Sequence, residues 1–182
     1  PSLPFISELD PESLPSEIDF IPISPRLEYH FDHEHKYDIF DIIIEKAGKH
    51  YFIHGEVTSP FDYFLNLFGL ENALRYLVEA PLKSRETLQH FTQGVKTIAE
   101  EQINRKVDAI KISSPFAGAG FISPDFYREF ILPHESQICL AVQDQGIHVY
   151  IHTCGAIGDR LEYMVKIGAS GIECLDPPPL GN

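Results

Sequence analysis

The chain has 182 residues, with 14 Lys+Arg against 27 Asp+Glu, a formal net charge of -13, 43% hydrophobic residues and 23% charged. That composition excludes wholesale disorder, and the acidic excess argues against a nucleic-acid binder or a protein docked on anionic lipid. No apolar run approaches the roughly 18 to 20 residues of a membrane span. Three cysteines are too few for a disulfide scaffold and no signal peptide is visible, so a cytoplasmic location is expected.

Residues 1–36 form an expected Pro-rich lead-in, because Pro1, Pro4, Pro11, Pro15, Pro22 and Pro25 forbid a long helix. His30, His33 and His35 sit there beside Asp32 and Glu34, at a spacing that matches no familiar metal site. A domain is expected over 37–182. Its first helix is Tyr37–Lys46, stopped by Gly48. A short strand Tyr51–Gly55 follows, then a helix after Pro60 and another over Leu70–Glu79 halted by Pro81. The stretch Leu82–Lys106 places Leu88, Phe91, Val95, Ile98, Ala99 and Ile103 at helical spacing. Val107–Ser113 alternates as a strand and leads into the small-residue loop Ser114–Ile122. Ser123-Pro124 caps a helix running to about Gln145, which Pro133 should kink or split. His148–His152 is a strand, Ala156–Ile167 a helix, and Ala169–Leu175 the last strand. Strands separated by crossovers of about 20 to 40 residues imply a parallel sheet. An open doubly wound sheet and a (β/α)8 barrel both fit, and a barrel would be partial, since it needs roughly 250 residues. Pro1 in place of Met and the stop at Asp176-Pro-Pro-Pro-Leu-Gly-Asn182, directly after an apolar run, suggest a piece of a longer polypeptide.

The sharpest chemical feature is His152-Thr153-Cys154-Gly155, where a strand ends. Residues two apart on a strand share a face, so His152 and Cys154 can converge as two ligands of a tetrahedral Zn2+. The alternative is a buried histidine and a core cysteine. Cys174, on the next strand, and Asp176, two residues later, are candidates for a third ligand, in competition with a residue beyond Asn182. Cys139 falls on the apolar side of its helix and is expected in the core. Glu56 and Asp62 follow another strand and are expected at the rim of the site. Glu56 is the candidate proton acceptor or further metal contact, and Asp62 is expected to stabilise the start of a helix. No G-x-S-x-G elbow occurs, which argues against a serine nucleophile.

Four stretches together resemble the uroporphyrinogen decarboxylase superfamily. They are Gly55–Gly69 with its G-x-x-x-S-P-F opening, Phe116–Pro133 (F-A-G-x-G-F-I-S-P-x-x-Y-R-E-F-I-L-P), H-T-C-G at His152–Gly155, and L-D-P-P-P-L-G-N at Leu175–Asn182. The resemblance implies a (β/α)8 TIM barrel, partial in this chain, with a cleft at the carboxyl ends of its strands. It is strongest, at H-x-C, to the zinc-dependent methylcobamide:coenzyme M methyltransferase branch. There the family pattern implies that His and Cys hold Zn2+ with a second, distant Cys, and that a metal-activated thiol takes the methyl group of a corrinoid presented by a partner protein. Carried over, His152 and Cys154 are ligands, and the distant cysteine falls beyond Asn182 unless Cys174 takes its place. The expected partners are a small-molecule substrate or a methylated corrinoid protein, with a homodimer left open. The metal-free decarboxylase of porphyrin biosynthesis is the alternative. The Arg-rich motif that handles its substrate's carboxylates is not seen, and Asn66 stands where its pocket tyrosine is expected. A non-catalytic ligand- or corrinoid-protein-binding barrel is the third reading.

Overall fold

A computed structural model describes residues 34–179 and 181. Its elements in chain order are α1 (Asp38–Ala47), β1 (His54–Thr58), α2 (Pro60–Phe68), α3 (Leu70–Glu79), α4 (Pro81–Ile103), β2 (Ala109–Ser113), α5 (Pro124–Phe130), α6 (Leu132–Gln143), β3 (His148–His152), α7 (Leu161–Val165) and β4 (Gly171–Glu173). The four strands form one parallel sheet in the order β1-β2-β3-β4. This is an α/β fold whose four consecutive parallel strands make a partial barrel.

The register sets the strand ends level. Thr58 lies opposite Ser113, Ser113 opposite His152, and His152 opposite Glu173. Two residues earlier on each strand, and so on the same face, Glu56, Lys111, Tyr150 and Gly171 lie side by side. Alternation therefore splits the sheet into two chemically different faces. Val57, Ile110, Ile112, Val149 and Ile151 are buried against the helices. They meet Phe61, Phe64 and Phe68 of α2, Leu88, Phe91, Val95 and Ala99 of α4, and Ile138, Cys139 and Val142 of α6 in one core. The other face carries His54, Glu56, Lys111, Tyr150, His152 and Glu173. In a closed barrel the side of the strands turned away from the helices faces the lumen.

Local chemistry explains most boundaries. Ser59 and Ser123 cap α2 and α5 by accepting from the backbone N–H of Asp62 and Phe126, each with Pro at the start of its helix. Pro133 divides the expected Ser123–Gln145 helix, and Ile131 is the junction between α5 and α6. Pro81 does more than halt α3, since it also opens α4. Three expectations need correction. The first strand is His54–Thr58 and not Tyr51–Gly55, because Ile53 is spent on another contact: its N–H donates to the Asp108 carboxylate at 2.7 Å. The helix expected over Ala156–Ile167 shrinks to Leu161–Val165, with turns before it. The last strand is trimmed to Gly171–Glu173.

No helix among the described residues is long and apolar enough to cross a membrane. Of the histidine cluster near the start, His30 and His33 lie outside the described residues, and His35 pairs through Nδ1 with Asp38 at 2.9 Å on the surface.

Candidate metal centre

His152 is the last residue of β3, and Cys154 follows two residues on, as the strand gives way to a loop. Gly155 then takes φ +75°, a left-handed turn that only glycine adopts freely. Its N–H donates to Asp176 Oδ2 at 2.8 Å, which ties this turn to the segment leaving β4. Cys174, just past β4, also has positive φ, at 64°. The result is a three-sided cluster. His152 Nε2 lies 3.4 Å from Cys154 Sγ, and Cys154 Sγ lies 3.8 Å from Cys174 Sγ. One donor atom from each of these residues falls within 4.8 Å of the other two. The hydrogen bond with Cys154 raises the Cys174 thiol above its ordinary value, with smaller contributions from its surroundings. Asp176 Oδ1 completes the border, 3.8 Å from Cys174 Sγ.

One imidazole and two sulfurs are a donor set suited to Zn2+. Sulfurs 3.8 Å apart are far too distant for a disulfide, yet metal–sulfur bonds of about 2.3 Å let both reach one ion. All three cysteines are free. Cys139 is buried in the core on α6, as its helical position implied, and burial pushes its thiol up.

A line of charge runs from the cluster along the lumen-side face. His152 Nδ1 lies 2.9 Å from Glu173 Oε1, Lys111 Nζ lies 3.8 Å from the same oxygen, and Lys111 Nζ is 2.8 Å from Glu56 Oε2. The hydrogen bond with Glu56 raises the Lys111 ammonium above its usual value, outweighing its partial burial. Glu56 therefore lies within β1 rather than in a loop behind it, and it reaches the cluster only through Lys111 and Glu173. His54 and Tyr150 bond to each other on the same face.

Asp62 does lie in the first turn of α2, as expected, but its placement departs from expectation. It is not at the rim but buried at 4% exposure, where its carboxylate accepts from the Ser59 hydroxyl. Burial pushes it up to about 7. Glu135 on α6 is also buried and is likewise pushed up to about 7 by burial, opposed by the Ser114 and Tyr127 hydroxyls and assisted by the charge of Asp62. The two carboxyls lie behind the strand ends, on the helix side.

No sequence pattern marks Arg160. It is fully buried and donates to Ala117 O at 2.8 Å and Ile122 O at 2.9 Å, so one guanidinium holds two points of the loop 114–122. A second fixture is Gly118, where an added Cβ would sit 2.8 Å from the Cys154 carbonyl oxygen. The loop thus lies directly against the backbone of a candidate ligand, with Phe116 and Phe121 packed edge-on above it, ring centres 4.9 Å apart.

A level row of parallel strand ends with a His/Cys/Cys cluster at their carboxyl side defines a barrel-type site of the α/β class. The chain belongs to the uroporphyrinogen decarboxylase (URO-D) family, whose model matches residues 13–176. It is 28% identical over 118 residues to a methylated-thiol–coenzyme M methyltransferase of Methanosarcina mazei, covering 65% of this chain and 30% of that protein. It is 22% identical over 131 residues to the methylcobamide:CoM methyltransferase MtaA of Methanosarcina barkeri, covering 72% and 38%. A uroporphyrinogen decarboxylase of Carboxydothermus hydrogenoformans is 27% identical over 134 residues, covering 70% and 37%. Among solved structures, a methyltransferase from Methanosarcina mazei superposes with a TM-score of 0.68 at 22% identity, covering 73% of this chain and 39% of that one. The chain spans about a third of the length of the curated relatives it matches.

Proposed function

We propose that this chain carries the metal-binding part of a zinc-dependent methyltransferase, which moves a methyl group between a methylated corrinoid and a thiol acceptor. The observation that carries the reading is the convergence of His152, Cys154 and Cys174 within 4.8 Å at the strand ends. His152 would bind through Nε2 and the two cysteines through Sγ. A zinc ion held there supplies Lewis-acid activation of a thiol, which is nucleophilic as the thiolate. The protein's own share is to present three donors at the ends of two adjacent strands, to turn the chain sharply at Gly155, and to hold the loop 114–122 against the Cys154 backbone. Glu56 is assigned as the final acceptor of the thiol's proton, and because it meets the cluster only through Lys111 and Glu173, the proton passes to it along that line and not directly. The names of the methyltransferase relatives favour a corrinoid partner for the full protein.

The decarboxylase reading is disfavoured by charge. Lys111 is the only Lys or Arg on the four strands, and it is already engaged by Glu56 and Glu173. A polycarboxylate substrate calls for free positive charge in the cleft.

The test is elemental analysis of the full chain by mass spectrometry, together with transfer from methylcobalamin to a thiol. About one zinc per chain is expected, lost in His152→Ala, Cys154→Ser and Cys174→Ser along with methyl transfer. A folded full chain that takes up no zinc overturns the proposal. Release of CO2 from uroporphyrinogen by the metal-free chain would replace it with the decarboxylase reading.

A further inference from the structure

The contact between His152 Nδ1 and Glu173 Oε1, at 2.9 Å, decides a chemical question about the imidazole. A carboxylate has only acceptors. The contact is a hydrogen bond only when Nδ1 carries the proton and donates it. In the neutral ring this leaves the lone pair on Nε2, and Nε2 is the nitrogen turned towards Cys154 at 3.4 Å. Adjacent strands supply the two partners in register, His152 on β3 opposite Glu173 on β4. Glu173 is in turn placed by Lys111, whose ammonium lies between Oε1 of Glu173 at 3.8 Å and Oε2 of Glu56 at 2.8 Å. The side chain of Lys111 is 16% exposed, whereas those of Glu56 and Glu173 are 49% and 41% exposed, so the ammonium is the fixed member of the group.

We propose that Glu173 is a positioning residue for the metal ligand His152, fixing its tautomer and ring orientation, and that Lys111, shared with Glu56, holds Glu173 in place. This rests on the zinc reading for its purpose but not for its geometry. The carboxylate behind the imidazole makes Nε2 a better donor and denies the ring a rotation that would turn Nδ1 towards the sulfurs. Such outer partners of metal-bound histidines typically contribute about 10- to 100-fold in metal affinity. The role of Glu56 changes with it: beside any part in proton transfer, it anchors the lysine that steadies the carboxylate behind the ligand.

The experiment has two arms on the full chain. In the metal-free protein, 15N shifts of the histidine rings report the tautomer, with His152 assigned by its loss in His152→Ala. The Nδ1–H form is expected in the wild type, and a mixture in Glu173→Ala. In the second arm, zinc affinity is measured by competition with a chromophoric chelator, and the Co2+-substituted spectrum is recorded. Glu173→Ala should weaken zinc binding about 10- to 100-fold and shift the cobalt bands. Glu173→Gln, whose amide oxygen still accepts from Nδ1–H, should recover part of that loss, and Lys111→Met should fall between Gln and the wild type. If Glu173→Ala does not fold, Glu173→Met, which keeps the length but has no oxygen to accept from Nδ1–H, carries the test, and an affinity and cobalt spectrum equal to wild type overturn the proposal. A wild-type His152 that is not in the Nδ1–H form also overturns it. A wild type that binds no metal but shows the Nδ1–H tautomer removes the zinc reading and leaves the orienting contact standing.

Discussion

Replacing Glu135 by Gln should change how the chain's stability depends on pH. The carboxyl sits fully buried on α6, pushed from the ordinary 4.5 up to about 7 by burial. Between those values the folded chain keeps a proton that the unfolded chain has lost. Stability must therefore fall as pH rises through this window, with the whole penalty in force above about 7. A gap between 4.5 and about 7 corresponds to about 3 kcal/mol. Asp62 acts in the same direction, from its ordinary 3.8 up to about 7. His134 opposes both at lower pH. Burial pushes it from 6.5 down to about 4, so stability rises with pH between those values and the group is silent above them. Glu135→Gln removes one carboxylate without removing volume, and it also relieves Asp62 of a neighbouring charge. Urea unfolding of the full chain, followed by circular dichroism at pH about 5 and about 8.5, is the assay. The variant should gain up to about 3 kcal/mol relative to wild type on going from the acid to the alkaline condition. Any constant cost of the amide cancels in that comparison. Parallel stability curves for the two proteins would refute the argument that burial governs this carboxyl.

Arg160→Met should cost about 3 kcal/mol or more, since it leaves the Ala117 and Ile122 carbonyls buried without their donor. Faster hydrogen exchange confined at first to the loop 114–122 would support this, and unchanged exchange there would count against it. Thiol labelling of the metal-free chain should modify Cys154 and Cys174, whose sulfurs are reachable, ahead of Cys139, which is buried with its thiol pushed up. Zinc should protect the quick pair, and equal rates for all three thiols would contradict the burial of Cys139.

The legible parts of the fold were those with a local signature. Ser-Pro at 59–60 and 123–124 marked two helix starts, α4 declared itself by its apolar spacing, and β3 was placed at His148–His152 as found. Errors came where a long-range partner decided. Pairing with β2, with Glu56 opposite Lys111 and Thr58 opposite Ser113, carries β1 on to Thr58 and makes Glu56 a strand residue, while Asp108 takes the N–H of Ile53 from 55 residues away. Of the site, the convergence of His152 with Cys154 followed from strand alternation, and Cys174 from the spacing of neighbouring strands. Glu173, Lys111 and Arg160 were not foreseen, because their roles depend on the register between strands and on which carbonyls a loop leaves bare. Those are properties of pairs far apart in sequence.

The left-handed backbone at Cys174 sets folding and chemistry against each other at one position. A side chain in that conformation costs about 1 to 2 kcal/mol that glycine would not incur. Were persistence of the folded chain the sole criterion, Gly would be the favoured residue at 174, and a thiol there would be lost to drift. A lineage screened for robustness alone should lose Cys174 early, whereas one screened for metal retention should keep it and recoup the lost stability elsewhere. On the zinc reading, the residue at this position would report which of the two demands dominates.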